Sequence, residues 1–216
     1  MPREGARPSG YPTGMRALVI NCTLKSSPDP SNTQALAEKV AEQLESYSVD
    51  VEFVRAADLD IAAGVVTEAA GPGDAWPDVH RKLLDADILV IASPTWLGRP
   101  SSIAQRVLER MDAMLSETDD VGRPVAYNRV AGVVVTGNED GAHHVISEIS
   151  GALADIGYTI PGQAWTYWHL GPGPGPDYLD DERGHDWSHR TARAMAANLY
   201  GTAKAFAATP LGAPPQ

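Results

Sequence analysis

The feature that most constrains this chain is a regular alternation between short aliphatic runs and longer segments with apolar residues three or four positions apart. Residues 17–20, 51–54, 88–92 and 130–136 form the aliphatic runs, and residues 158–168 supply a fifth strand candidate. Residues 88–92 read Ile-Leu-Val-Ile-Ala, and a run without polar alternation is typical of a strand buried on both faces. Such strands, separated by helices, predict a parallel sheet between two helical layers with right-handed crossovers.

Five segments between and after these runs have the apolar spacing of one helical face. The first is marked by Leu36, Val40 and Leu44. The later ones are marked by Trp76, Val79 and Leu83, by Ile103, Val107, Met111 and Met114, by Val145, Ile149, Leu153 and Ile156, and by Met195, Leu199, Ala203 and Phe206. A length of 216 residues is short for two independent cores, so we expect one doubly wound α/β domain over residues 15–207. Residues 1–14 are predicted to be a disordered leader and residues 208–216 a flexible tail.

The charge balance excludes several classes of partner. Seventeen lysine and arginine residues against 28 aspartate and glutamate residues give a net charge of −11, without a basic cluster. We therefore expect no binding to nucleic acid or to an anionic membrane surface. No aliphatic run approaches the roughly 20 residues of a membrane span, and the leader lacks a secretion signal's apolar core, so a cytoplasmic location is expected. The single cysteine, Cys22, excludes an internal disulfide and is expected to be a buried structural thiol.

An open parallel sheet binds its ligands outside the carboxyl ends of its strands, which directs attention to three loops. The first loop, residues 23–33, is rich in hydroxyls, and Ser31 with Gln34 has the spacing of a capping box. A helix N-terminus with exposed amides and one lysine, Lys25, is suited to a phosphate. The loop lacks the Gly-Lys-Thr signature of a nucleotide-triphosphate loop and the three-glycine turn of a dinucleotide fold. A plain helix cap is the alternative interpretation.

The other two loops combine an aromatic side chain with small residues. The second loop, residues 93–100, has Trp96 and Gly98 between two prolines, a composition suited to holding a flat heteroaromatic ring. The third loop, residues 136–144, has small and polar residues that let the backbone approach a ligand. The alternatives are that Trp96 only packs in the protein and that the third loop is an ordinary surface turn.

Three motifs in order resemble the flavodoxin-like NADPH-dependent FMN reductase family across residues 15–207. They are Ser31-Asn32-Thr33, Ser-Pro-Thr-Trp-Leu-Gly at 93–98, and Val-Thr-Gly-Asn-Glu-Asp-Gly at 135–141. The resemblance implies a flavodoxin-like, five-stranded doubly wound fold, FMN as cofactor and NAD(P)H as cosubstrate. It also implies a quinone, flavin or other small molecule as electron acceptor, and a homodimer or homotetramer that completes the flavin pocket. No metal is expected.

The same resemblance assigns candidate site residues. The positions that match the family's phosphate loop are Thr23, Lys25, Ser31, Asn32 and Thr33. Those that match the isoalloxazine edge are Pro94, Thr95, Trp96, Leu97 and Gly98, and those on the other side of the ring are Thr136, Gly137, Asn138, Glu139 and Gly141. Arg99, His143 and Trp168 are candidates for substrate contacts, and no catalytic residue is assigned.

Two departures and two alternatives stay open at this point. The first loop is longer than the family's usual Gly-Ser-x-Arg form, with Lys25 where an arginine often stands, and residues 171–178 form a Gly-Pro segment outside the family pattern. We interpret this segment either as a stiff cover over the pocket or as a rigid surface loop. An electron-carrier flavodoxin is one alternative function. A metal hydrolase built on His185 and His189, four residues apart, is the other.

Overall fold

The computed structural model describes residues 14–215, so the predicted leader lies outside the described residues apart from residue 14. Six strands form the sheet: β1 (Arg16–Asn21), β2 (Asp50–Arg55), β3 (Ile88–Trp96), β4 (Arg99–Pro100), β5 (Val130–Thr136) and β6 (Trp165–Trp168). All except β4 are parallel and lie in the order β2-β1-β3-β5-β6. The predicted five-stranded parallel sheet is confirmed, and β4 adds an antiparallel strand on the end of β3.

Five helices cover both faces of the sheet, as predicted. They are α1 (Asn32–Glu45), α2 (Trp76–Asp85), α3 (Ser102–Met111), α4 (Ala142–Ile156) and α5 (His185–Ala208). α1 and α5 pack on one face, and α2, α3 and α4 pack on the other. Because side chains alternate along a strand, β1 gives Leu18 and Ile20 to one core and Ala17 and Val19 to the other. This two-sided burial explains why the strand runs are apolar without alternation.

Two elements differ from the predicted bounds for local reasons. The helix expected to reach Met114 ends at Met111 and continues as a short 3-10 helix, Asp112–Ser116. The fifth strand candidate, residues 158–168, pairs continuously only from Trp165, because the chain turns at Pro161, whose carbonyl accepts the N–H of Ala164. Proline has no N–H for a sheet ladder, which accounts for the interruption.

A buried ion pair fastens the long loop that precedes α2. The side chains of Arg110 on α3 and Asp74 in the loop are both fully buried, with Nη1 2.7 Å from Oδ2. The guanidinium lies 5.3 Å from the ring centroid of Trp76. It also donates to three loop carbonyls, those of Ala62, Val66 and Glu68. The Arg110 side chain thus holds this irregular loop against the domain through one ion pair and three hydrogen bonds to loop carbonyls.

Residues near the C-terminus contact the body of the domain. The N–H of Leu211 donates to Asn128 Oδ1 at 2.6 Å, and Asn128 Nδ2 donates back to the Leu211 carbonyl. No helix within residues 14–215 combines the length and hydrophobicity needed to cross a lipid bilayer.

Candidate functional site

The three loops meet at one edge of the sheet because β1, β3 and β5 are neighbours and run in the same direction. Thr33 at the start of α1 and Thr136 at the end of β5 are joined by a hydrogen bond of 2.8 Å between their hydroxyls. The second and third loops touch backbone to backbone: a Cβ on Gly141 would lie 2.6 Å from the Cα of Gly98. The predicted site residues of the three loops are therefore brought together.

Asn21, the last residue of β1, organises the first loop. Its Oδ1 accepts the N–H of Thr23 at 3.1 Å, and its Nδ2 donates to Ser31 Oγ at 3.3 Å. Ser31 is the N-cap of α1 and accepts the N–H of Gln34, as the capping-box spacing predicts. Sequence reasoning did not assign Asn21 to the site. A polar residue that ends an apolar strand run was the signal that would have found it.

The middle of the first loop is tied to the end of β2. Ser27 donates to Asp58 through both its N–H and its hydroxyl, each at 2.7 Å, and these bonds hold the pKa of Asp58 below its usual value. Arg55 reaches the carbonyl of Asp29 at 2.8 Å. Lys25 is exposed and makes no ion pair with any described residue. The loop is therefore fastened at its centre while its lysine keeps a free charge.

This arrangement fits a phosphate. Ser31 Oγ already accepts from Asn21 Nδ2 and from the N–H of Gln34, so its own O–H is left to donate. Thr23 Oγ1 likewise accepts the N–H of Lys25 and keeps its proton. The first turn of α1 contains no acidic residue, so the positive end of the helix dipole is not neutralised there. These donors and Lys25 would hold the phosphate of FMN.

The second loop is a tight hairpin between β3 and β4. Leu97 and Gly98 have φ values of 51° and 72°, which is the left-handed pair of a two-residue hairpin turn. The turn leaves the side chains of Trp96 51% and Leu97 92% exposed. Trp96 is thus free to contact a ligand, contrary to the interpretation that it only packs in the protein. Thr95 Oγ1 is buried and has no hydrogen-bond partner among the described residues.

The third loop packs tightly against its neighbours. A Cβ on Gly137 would lie 3.0 Å from Thr95 Cβ, so glycine leaves the space that a larger residue would fill. Glu139 Oε1 accepts the N–H of Leu97 at 2.5 Å. The Asn138 carbonyl accepts the N–H of Gly175 at 2.6 Å. The Gly-Pro segment therefore lies against the third loop, and Asn32 Oδ1 holds its far end by accepting the N–H of Leu179.

The three substrate candidates lie in different surroundings. Arg99 is exposed and pairs with Glu148 of α4 at 2.7 Å. His143 packs its ring against Trp165 and Tyr167 of β6, with centroids 5.2 and 5.1 Å away. Trp168 was expected to contact a substrate, but its side chain lies in the core that also contains residues of α1 and α5.

Trp168 is 2% exposed, and its indole N–H donates to the Arg183 carbonyl at 2.8 Å. It faces that core because it alternates with Trp165 and Tyr167, which point to the other side of β6. Its polar atom is satisfied within the protein, so it offers no free group to a substrate.

The two histidines of the hydrolase hypothesis bind a tyrosine. His189 Nε2 lies 2.7 Å from the Tyr178 hydroxyl, and His185 Nε2 lies 3.0 Å from the Tyr178 carbonyl oxygen. Burial, followed by nearby glutamates, raises the pKa of Tyr178 to about 12, and burial lowers the pKa of His189. Residues 14–215 contain no group of three or more histidine, cysteine, aspartate or glutamate side chains positioned for a metal. Nothing in this arrangement favours the hydrolase.

Cys22 is a buried structural thiol, as expected. Its side chain is fully buried, and burial raises its pKa to about 12. A thiol with such a pKa is not a nucleophile near neutral pH.

Comparison with known proteins places this chain in a family. The family described as NADPH-dependent FMN reductase matches residues 15–169. An 8-demethyl-8-aminoriboflavin-5'-phosphate synthase of Streptomyces davaonensis is 37% identical over 206 residues, which are 91% of this chain and 80% of that protein. The divalent metal cation transporter MntH of Mycobacterium bovis is 43% identical over 192 residues, or 86% of this chain, but the chain spans only 28% of that protein.

Solved structures agree with the family match. The crystal structure of RosB with the bound intermediate 8-demethyl-8-formylriboflavin-5'-phosphate has a TM-score of 0.86 and 36% identity, covering 92% of this chain and 82% of RosB. An archaeal flavodoxin has a TM-score of 0.56 at 14% identity, covering 88% of this chain and 99% of that one, which confirms the flavodoxin-like fold. This chain belongs to the NADPH-dependent FMN reductase family of flavin-dependent oxidoreductases.

Proposed function

We propose that this protein binds FMN at the carboxyl edge of its sheet and passes reducing equivalents from NAD(P)H to a quinone, flavin or other small acceptor. The observation that carries the proposal is the meeting of three features at one edge. These are the acid-free start of α1, preceded by a loop whose Lys25 makes no ion pair with any described residue, the exposed Trp96 and Leu97, and the glycine-lined third loop. An anion site beside an aromatic ring site matches a flavin phosphate.

The protein's own part in this reaction is to bind and orient. FMN, when bound, accepts and releases the electrons. The first loop would hold the phosphate through Thr23, Ser31 and Lys25, while the hairpin turn and the third loop would hold the two sides of the ring. Leu24, Trp96 and Leu97 leave apolar surface exposed, which supports the further proposal of a homodimer or homotetramer that covers it.

The proposal is tested by an FMN titration of the purified protein, followed by NADPH without oxygen. We expect flavin absorbance bands that bleach when NADPH is added and return when a quinone is added. Binding without bleaching by NADPH or NADH would favour the electron-carrier flavodoxin instead. Absence of FMN binding at micromolar concentration would contradict both functions.

A second candidate is chemistry on the flavin itself. It is favoured by the TM-score of 0.86 to RosB, whose structure holds a flavin phosphate as an intermediate. In that case FMN would enter the same crevice as a substrate and leave with a changed substituent at C8. Mass spectrometry of the flavin recovered after turnover separates the two candidates, because a cofactor keeps its mass and a substrate does not.

Lys25→Ala is expected to weaken FMN binding about fivefold to tenfold while leaving riboflavin binding unchanged. The lysine pairs with no other described residue, so its charge is available to the phosphate, which riboflavin lacks. Fluorescence titration with both flavins measures the difference. Lys204→Ala on α5, where Lys204 lies 5.9 Å from the Tyr200 ring centroid, is the control and should alter neither affinity. Equal losses for FMN and riboflavin would contradict a phosphate role for Lys25.

A further inference from the structure

Glu139 accepts a hydrogen bond from a backbone N–H in the crevice where the flavin ring is proposed to bind. Its Oε1 accepts the N–H of Leu97 at 2.5 Å, across the gap between the third loop and the hairpin turn. Within residues 14–215, Glu139 makes no ion pair with a lysine, arginine or histidine. The amide of Leu97 is therefore the main partner of this carboxylate.

The Leu97 amide sits at the most exposed point of the site. Leu97 is 92% exposed and Trp96 is 51% exposed, so both residues present apolar surface next to this N–H. A heteroaromatic ring laid against that surface would offer ring nitrogens and carbonyl oxygens as acceptors. One N–H makes one strong hydrogen bond, so the carboxylate and the ring compete for it.

The backbone on both sides of this contact is fixed, so the side chain of Glu139 is the part that can move. The backbones of Gly98 and Gly141 are already in contact, since a Cβ on Gly141 would lie 2.6 Å from the Cα of Gly98. The N–H of Gly137 donates to the Trp168 carbonyl at 3.1 Å, and the Asn138 carbonyl accepts from Gly175. Glu139 is half-buried, and a Cβ on Gly173 would lie 2.8 Å from the Glu139 Cβ, so the movement is confined to the outer part of the glutamate side chain. Rotation of that part would release the amide without disturbing these bonds.

Resting on the proposed FMN site, we propose that Glu139 lowers the affinity of the crevice for flavin rings by competing with them for the N–H of Leu97. A ring then binds only if its own hydrogen bond to the Leu97 N–H, together with its stacking on Trp96, is more favourable than the charge-assisted bond from that N–H to Glu139. The carboxylate also repels ligands with negative charge near the turn, so it favours neutral rings there. Glu139 thereby lowers the affinity for every flavin ring, whether or not the flavin carries a phosphate.

The test measures FMN and riboflavin dissociation constants for the wild type, Glu139→Ala, Glu139→Gln and Asp140→Asn. We expect Glu139→Ala to bind both flavins about tenfold more tightly, because the amide is freed and the phosphate plays no part. Glu139→Gln keeps a neutral acceptor and should fall between alanine and the wild type. Asp140→Asn removes the same charge from an exposed neighbour that does not bond to Leu97, and should change neither constant more than twofold.

The outcomes separate this inference from the proposed function. Weaker flavin binding by Glu139→Ala would overturn the competition, because it would show that Glu139 supports binding by holding the two loops together. An equal gain in Asp140→Asn would also overturn it, by showing a general charge effect. Normal FMN binding by the wild type with unchanged constants in Glu139→Ala overturns the competition but leaves the FMN site standing. If neither protein binds either flavin, both are wrong.

Discussion

Arg110→Met is expected to lower the free energy of unfolding by about 3–5 kcal/mol, measured by urea denaturation. The substitution leaves the buried carboxylate of Asp74 without its counter-charge, and an unpaired buried charge costs about this much. It also removes the donors that bind the carbonyls of the loop before α2. We therefore expect that loop to become more sensitive to proteolysis than the rest of the domain.

Arg81→Met is the matched control for Arg110→Met. Arg81 pairs with Asp78 on the surface of α2, where the two side chains are 65% and 70% exposed. Solvent screens such a pair, so its loss should cost less than about 0.5 kcal/mol. Similar losses for the two variants would contradict the distinction between a buried and an exposed ion pair.

Asp74 and the groups that donate to it make the free energy of unfolding depend on pH, in a direction set by the lowered pKa of Asp74. Burial alone would raise the pKa of Asp74, but the N–H groups of Ala70, Trp76 and Ala62 and the Arg110 guanidinium together hold it well below its usual range. Because the folded pKa is depressed, this contribution is complete above about pH 4, where the unfolded chain also ionises. It is lost as the pH falls further, since the unfolded chain takes up the proton first.

Gly141→Ala is expected to destabilise the protein by about 2–4 kcal/mol and to weaken FMN binding at least about tenfold. Gly141 has a φ of 107°, which L side chains rarely adopt, and a new Cβ would lie 2.6 Å from the Cα of Gly98. No rotamer relieves a clash between a Cβ and the backbone. The second and third loops must therefore separate, and the ring site between them opens. Urea denaturation and flavin fluorescence measure the two effects.

Gly151→Ala makes the same chemical change inside α4, the helix for which Gly141 is the N-cap, without the contact. Gly151 is exposed in the interior of α4, and nothing lies within 4 Å of the new Cβ. Alanine there should stabilise the protein by up to about 1 kcal/mol and leave FMN affinity unchanged. Unaltered FMN binding in Gly141→Ala would contradict the view that the close approach of the two loops shapes the site.

Several features of the site were accessible from the sequence because they depend on local chemistry. The capping role of Ser31 follows from its spacing to Gln34, and the observed hydrogen bond to the Gln34 N–H confirms it. The place of the second and third loops after β3 and β5 follows from the apolar runs, and the structure brings both loops to one edge of the sheet. Contacts between distant residues were not accessible in this way, because spacing along the chain does not report them.

The surroundings of Trp168 and Arg110 could not be predicted from the sequence. The run of aromatic residues at 165–168 does not reveal which of them face the core, since the face is set by the register of β6 on β5. Arg110 has the sequence environment of an ordinary surface arginine on a helix. Only the fold brings Asp74 to it from 36 positions away, and the buried pair that results has no local pattern.

The sequence by itself determined the sheet, its two helical layers and the edge at which the three candidate loops meet, because apolar runs and helical spacing are repeated, local signals. It also determined the family, through motifs at three strand ends. The tertiary structure alone decided the buried face of Trp168, the pairing of Arg110 with Asp74 and the bond from Leu97 to Glu139. Each of these joins segments that are distant along the chain and become neighbours only when the strands and loops assemble, and no spacing within a single segment encodes that meeting.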